Sequence, residues 1–237
     1  DRTAWLNGST LWDDTTNINH GSTLKLLKWT NGIVDSDYFT YNSTQLNVTQ
    51  AGDYFIALTL PMQRTDSANE RAAVEAQVFV NDVKQDVGVT RCSYTRGTTT
   101  GTDQLHSSDH LYALLEDLSV NDYITIKVKS TTENTGALYP MTAENMFSLY
   151  AEYIPDTEAV FTGQATQTTD PLTPTNLNPQ STYKLKWVES RKDTGYTHDD
   201  ASNPENIILN NPGYYFVTVN IPLGGTVIRS NSWGNIT

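Results

Sequence analysis

An internal repeat constrains this chain more than any other feature. Ser22-Thr23-Leu24-Lys25-Leu26-Leu27-Lys28-Trp29 returns, slightly shortened, as Ser181-Thr182-Tyr183-Lys184-Leu185-Lys186-Trp187. Leu46-x-Val48-x-x-Ala51-Gly52-Asp53-Tyr54-Phe55 returns as Ile207-x-Leu209-x-x-Pro212-Gly213-Tyr214-Tyr215-Phe216, and Leu60-Pro61 as Ile221-Pro222. Upstream, Asn17-Ile18-Asn19 matches Asn176-Leu177-Asn178, and Ala4 through Gly8 matches Ala159 through Gly163. Matches in one order at a nearly constant offset indicate a duplicated structural unit. The expected division is one complete domain over 1–155 and the N-terminal half of a second over 156–237, with nothing in the second copy answering to 74–153. Pro155-Asp156-Thr157-Glu158 makes a short step between them. The Thr- and Pro-rich run 164–179 reads as an extended edge or loop.

Inside the first copy the apolar residues alternate with period two, the signature of strands. Strands are expected at 24–30, 38–41, 45–49, 52–60, 73–81, 87–95, 104–115, 123–130 and 145–154. Turns are expected at Asn31-Gly32, Ala51-Gly52, Asn81-Asp82, Gly97, Asn121-Asp122 and Gly136. Charged residues are 18% of the chain and aromatic ones 10%, with Thr, Asn, Ser and Tyr in place of the Glu, Lys and Ala of helical surfaces. Many short strands and no helical stretch point to an all-β, antiparallel double-sheet jelly roll. Its core is expected from Tyr54, Ile56, Leu58 and Leu60, from Val74, Ala76, Val78 and Val80, and from Ile124, Ile126 and Val128.

Four motifs in order carry a family resemblance: Phe39-Thr40-Tyr41, the Gly52 corner just quoted, Val78-Phe79-Val80-Asn81-Asp82, and Leu115-x-x-Leu118-x-x-x-Asp122-Tyr123-Ile124. Together they resemble the globular head of complement component one-q and its tumour-necrosis-factor-like relatives. Pro61-Met62-x-Arg64, Arg71, Cys92-Ser93-Tyr94-x-Arg96-Gly97 and His106-Ser107-Ser108 resemble the versions found in fibre, tail and head-decoration proteins of bacteriophages, marine ones in particular. The chain departs from the pattern at Asp82 and at Val120-Asn121-Asp122, where the family has glycine. No collagen-like run precedes the domain. The resemblance implies a homotrimer formed through an aromatic and apolar flank. It also implies a tight corner at Gly52 with the aromatics Tyr54 and Phe55 turned into the sandwich, and the same at Gly213, Tyr215 and Phe216.

A formal net charge of −12 repels phosphate backbones and excludes a nucleic-acid partner. No apolar run is long enough for membrane insertion, and the first residues do not read as a signal peptide. The single cysteine, Cys92, makes no intrachain disulfide and reads as a small buried strand residue. His106-x-x-Asp109-His110 is the nearest approach to a metal cluster, but the segment is serine-rich and lacks a third ligand. Hard-oxygen ligands for calcium are available in comparable loops after the repeated tryptophan, at Asp35 and Asp37 and at Asp193. Of the tryptophans, the repeated Trp29 and Trp187 are expected to pack structurally, whereas Trp5, Trp12 and Trp233 do not repeat and are candidates for a partner or ligand surface.

No catalytic serine motif, phosphate-binding loop or zinc-protease motif is present. The reading is therefore a non-catalytic structural protein of a virion, a capsid decoration, head fibre or tail-fibre module that assembles with itself and with neighbouring structural proteins. The alternative is a secreted adhesin or extracellular filament subunit, completed by strand exchange and able to bind surface glycans.

Overall fold

The computed structural model describes residues 2–11, 23–64, 71–96, 106–130, 138–140, 147–165 and 184–219. The chain divides into two compact units, Asp1–Ile154 and Pro155–Val217, with Thr218 and Val219 belonging to the first.

Along the first unit run β1 (Thr3–Gly8), β2 (Thr10–Leu11), β3 (Lys25–Lys28), β4 (Asn31–Val34), β5 (Phe39–Tyr41), β6 (Leu46–Val48) and β7 (Gly52–Arg64). They are followed by β8 (Arg71–Val80), β9 (Val83–Arg96), β10 (His106–Leu118), β11 (Tyr123–Ser130), β12 (Leu138–Pro140) and β13 (Phe147–Ile154). One sheet has the order β10-β7-β13-β1-β4, with β12 extending along β7. In the other, β9 pairs β8 and β8 pairs β11, while the opposite edge of β11 is shared by β6 and β3, which carry β5 and β2 outside them. Pairing is antiparallel throughout, and strands distant in sequence lie side by side, as β13 does between β1 and β7. Two such sheets packed face to face are a jelly roll, the fold class expected.

The core lies between the sheets, built by alternate residues because strand side chains point to opposite faces in turn. Leu6, Ile56, Leu58, Leu60, Leu111 and Leu149 from one sheet meet Leu46, Val48, Val74, Ala76, Val78, Ile124, Ile126 and Val128 from the other, all shielded from solvent. Burying each of the larger aliphatic chains contributes about 1.5–3 kcal/mol before entropic costs.

Some local features differ from the sequence reading. Asn31-Gly32 is not a turn but the start of β4, a strand that with β1 was not anticipated. A Cβ on Gly32 would lie 2.4 Å from the Leu6 side chain, so this glycine serves a close strand approach. Phe55 does not turn inward: Tyr54 is fully buried, and Phe55, one residue on, faces outward to stack on Tyr112 at 6.4 Å. The two departures from the family pattern form one network. Asn81 and Asp82 take the left-handed φ of 50° and 63° that a two-residue hairpin turn demands. The Asp82 carboxylate accepts from the Tyr123 hydroxyl and the Lys127 ammonium, both at 2.9 Å. Asn81 Nδ2 donates to Asp122 at 2.7 Å, so the two hairpin turns at this end are tied together.

The second unit has β14 (Phe161–Ala165) paired with β15 (Trp187–Lys192), and β16 (Tyr196–Thr197) paired with β17 (Ile208–Leu209). It repeats the first unit's bonds. Asp35 N donates to Thr3 O as Asp193 N does to Val160 O, both at 3.0 Å. Trp29 N donates to Ser43 O at 2.7 Å, and Trp187 N to Pro204 O at 2.8 Å. The Tyr54 hydroxyl donates to Gln50 O, and the Tyr215 hydroxyl to Asn211 O. Phe39 meets Tyr54 edge-on at 71°, and Tyr196 meets Tyr215 at 72°. One detail of the repeat is corrected: Ala4 pairs with Val34 and Phe161 with Lys192, so the counterpart of Ala4 is Phe161 and not Ala159. Among the described residues the second unit therefore reproduces β1, β4, β5, β6 and the corner that opens β7.

Candidate interaction surface

The face of the β10-β7-β13-β1-β4 sheet turned away from the core carries a continuous aromatic and apolar band. Register places Ile33, Trp5, Tyr150, Ala57 and Tyr112 in one row across β4, β1, β13, β7 and β10. The adjacent row holds Thr3, Glu152, Phe55 and Leu114. Period-two alternation puts them there: Ala4 and Leu6 point into the core, so Trp5 between them must point out. Trp5 is 53% exposed and Ile33 81%.

The band is ordered by its own contacts. Trp5 lies 4.6 Å from Tyr150, tilted by 52°, and Phe55 stacks on Tyr112 within 14° of parallel. Within the band the Tyr150 hydroxyl donates to Glu152 at 2.6 Å, and Arg2 approaches the same carboxylate at 3.7 Å. Burial first, then the Glu152 carboxylate, pushes the Tyr150 phenol up to about 12, so it stays a neutral donor at physiological pH. The aromatic row is flanked on the same face by the polar row Asn31, Asn7, Ser148, Thr59 and His110.

No protein-family model matches the chain. No curated protein matches it either. Among solved structures, the crystal structures of murine APRIL at pH 8.0 and pH 5.0 are similar at 11% and 12% identity, covering 63% of this chain and 98% of the APRIL chain with a TM-score of 0.37. The jelly-roll assignment stands on the sheet order and register described above.

The remaining predicted residues fall into distinct places. Trp5 is on the outer band, whereas Trp12, Trp233 and His20 lie outside the described residues, as do Gly97, Gly136 and the Cys92 and His106 side chains. Trp29 is buried and meets Phe147 edge-on at 5.5 Å; Trp187 is half-buried. Gly52 has φ of 141°, and a Cβ there would lie 2.7 Å from the Tyr153 ring. Tyr215 is half-buried, while Phe216 is largely exposed, its alternation matching that of Phe55. Asp109 and His110 cannot act together, because Asp109 points into the core and accepts from Thr90 at 2.7 Å while His110 is on the opposite, exposed face. Burial, only partly offset by Thr90, raises the Asp109 pKa above the usual carboxylate range.

The calcium ligands expected from sequence lie in two comparable loops, one in each unit. Asp35 and Asp37 belong to the first unit and Asp193 to the second. Asp35 Oδ1 accepts from Asp37 N at 3.1 Å, while Asp193 accepts from Val160 N at 2.8 Å and from Arg191 at 3.1 Å. The Arg191 guanidinium holds the Asp193 carboxyl below its usual range. Among the described residues no group of three or more His, Cys, Asp or Glu side chains is placed to hold a metal ion.

Sequence reasoning passed over His198. Its side chain is shielded, with Nδ1 2.8 Å from Asn206 O and Nε2 3.1 Å from Trp187 O and 2.9 Å from Asp200 Oδ1. Both ring nitrogens thus face acceptors, which only the doubly protonated ring satisfies. Burial opposes that charge but is outweighed by the Asn206 and Trp187 carbonyls and by Asp200 and Glu189, so the pKa is raised. The signal in the sequence was weak, a histidine following Thr197 where the first copy has Tyr41 after Thr40.

Proposed function

We propose that this chain is a non-catalytic, self-assembling structural protein that associates with copies of itself through the outer face of the β10-β7-β13-β1-β4 sheet. The observation that carries the reading is the unbroken row Ile33, Trp5, Tyr150, Ala57 and Tyr112 across that sheet. Contiguous exposed apolar surface with a polar rim is characteristic of protein–protein contact. Aromatic residues supply large contact area at little entropic cost, and Trp and Tyr are favoured at the centres of such contacts. The resemblance to complement-head and tumour-necrosis-factor-like proteins favours a homotrimer about a shared axis.

An extracellular adhesin or filament subunit is the favoured setting, with neighbouring structural proteins and surface glycans as further partners. No helix among the described residues is long and apolar enough to cross a membrane. The second setting is a virion surface, supported by the resemblance of the Pro61-Met62-x-Arg64 and Cys92–Gly97 motifs to bacteriophage proteins. Immunogold negative-stain images of the native source separate them. Gold on filaments or cell surfaces supports the first, gold on phage heads or fibres the second, and diffuse labelling of isolated chains would overturn assembly itself.

A further inference from the structure

The two copies treat the same edge strand differently. In the first unit β4 closes one side of the β10-β7-β13-β1-β4 sheet, and among the described residues it pairs with β1 alone. Asp35 N donates to Thr3 O at 3.0 Å, so by the alternation of an antiparallel pair Ile33 bonds with Trp5, while the main-chain groups of Gly32 and Val34 face away from β1. The Gly32 carbonyl accepts from the Tyr41 hydroxyl at 3.4 Å, a long bond that leaves a second lone pair. Asn31 and Ile33 are exposed, Ile33 by 81%. Asn31-Gly32-Ile33-Val34 carries neither charge nor proline, the residues that keep sheet edges from pairing.

The equivalent edge in the second unit is guarded. With Phe161 as the counterpart of Ala4, Glu189, Ser190, Arg191 and Lys192 of β15 stand for Asn31, Gly32, Ile33 and Val34. All but Ser190 are charged, with Lys192 paired to Glu189 at 2.8 Å and Arg191 to Asp193 at 3.1 Å. Residues 198–204 also lie along the strand: Asp200 Oδ1 accepts from Glu189 N at 3.4 Å, and Nε2 of His198 is 3.1 Å from Trp187 O. In the first unit the corresponding residues 42–45 close on themselves, Asn42 Oδ1 accepting from Thr44 N and Gln45 N, both at 2.9 Å. Their main chain reaches Trp29 N through Ser43 O and stops short of β4.

We infer that β4 pairs with β4 of a second copy of this chain, antiparallel about a two-fold axis through Ile33. This goes beyond association through the outer face and does not depend on it. Setting Gly32 opposite Val34 of the second copy gives reciprocal main-chain bonds at both such pairs. Ile33 then faces Ile33 across the axis at the closer, non-hydrogen-bonded spacing. Asn31 faces Asp35, an amide donor against a carboxylate, so no like charges meet. The sheet and its outer row continue from Ile33 directly into the second copy. The contact is small, so isolated chains populate it sparsely, and it strengthens where several edges meet in one assembly. A two-fold contact added to a three-fold one links trimers into larger arrays.

The test traps the contact with disulfides in the full chain carrying Cys92→Ser, under oxidised glutathione, read by non-reducing gel electrophoresis. Non-hydrogen-bonded partners in such a ladder lie about 4.5 Å apart between Cα atoms, within disulfide reach. Two copies of residue 31, or of residue 35, stand about four residues apart along the strand and are beyond it. Ile33→Cys should give a covalent dimer. An equimolar mixture of Asn31→Cys and Asp35→Cys chains should cross-link about tenfold faster than either chain alone. Adding Ile33→Lys to both mixed chains should slow trapping about tenfold, by setting like charges opposite each other, and leave the melting temperature unchanged because the side chain is exposed. Trapping of the mixture should persist in Trp5→Asp chains, whose outer face is disrupted, so failure of that face and failure of edge pairing are read separately. No covalent dimer, Asn31→Cys or Asp35→Cys alone cross-linking as fast as the mixture, indifference to Ile33→Lys, or loss of trapping with Trp5→Asp would overturn the inference.

Discussion

Replacing the same tyrosine in both copies distinguishes a closed sandwich from an open one. Tyr54→Phe removes a hydroxyl that donates to Gln50 O at 2.5 Å from a side chain with no exposed surface. Burial raises the Tyr54 phenol far above its ordinary value, so the neutral donor is what is lost. The edge-on contacts of its ring with Phe39 at 5.3 Å and Tyr153 at 5.5 Å remain. A buried neutral hydrogen bond is worth about 1 kcal/mol net, and the carbonyl left behind adds a few tenths, giving a cost of about 1.5 kcal/mol. For a unit of this size that corresponds to a fall of about 3–6 °C in melting temperature. Tyr215→Phe removes the equivalent hydroxyl from a half-buried ring, where water can take over the carbonyl, and should cost under about 0.5 kcal/mol. Differential scanning calorimetry of the two full-length variants reads both. Equal shifts, or a larger one for Tyr215→Phe, would refute the view that the same corner is closed in one copy and open in the other.

Two further outcomes are expected. The His198 pKa is raised above 6.5, so its stabilising charge is fully present below that value and is lost as pH rises through the folded pKa. The imidazole faces Asp200 and Glu189, Asp199 adjoins it in sequence, and Lys192 binds its carbonyl at 3.1 Å, so the titration should be read directly by NMR. The ring signal should titrate above 6.5, and the second unit should lose stability toward alkaline pH in wild type but not in His198→Gln. Chelation of calcium should leave the melting temperature unchanged, because Asp193 is already engaged by Arg191 and Val160 N; a fall on adding chelator, reversed by calcium, would contradict this.

Much of the first unit was legible because period-two alternation states which residues face the core, and Tyr54, Ile56, Leu58, Val74, Ala76, Val78, Ile124, Ile126 and Val128 all do. What escaped was set by pairing partners. Gly32 has the local chemistry of a turn, and only the proximity of Leu6 across the sheet explains it as a strand residue. Phe55 adjoins Tyr54, so the corner motif alone could not say that one ring is inside and the other out. The outer band was visible as single residues, Trp5 among them, but not as a row, since rows depend on the register of β4, β1, β13, β7 and β10. His198 stayed hidden because two of its three partners are main-chain carbonyls, which leave no mark in a sequence. The repeat was legible from the start, and the matching hydrogen bonds corrected only the alignment of Phe161 with Ala4.

The most direct test of assembly through the outer face is sedimentation equilibrium of the full chain beside its Trp5→Asp variant. Trp5 is the most exposed aromatic of the row and points away from the core, so Trp5→Asp should preserve the fold, checked by far-ultraviolet circular dichroism, while placing a charge in the contact with the neighbouring chain. The expected result is a species of three times the chain mass for wild type and a monomer for Trp5→Asp at the same concentration. A monomeric wild type, or a Trp5→Asp variant that sediments as wild type does, would contradict the account.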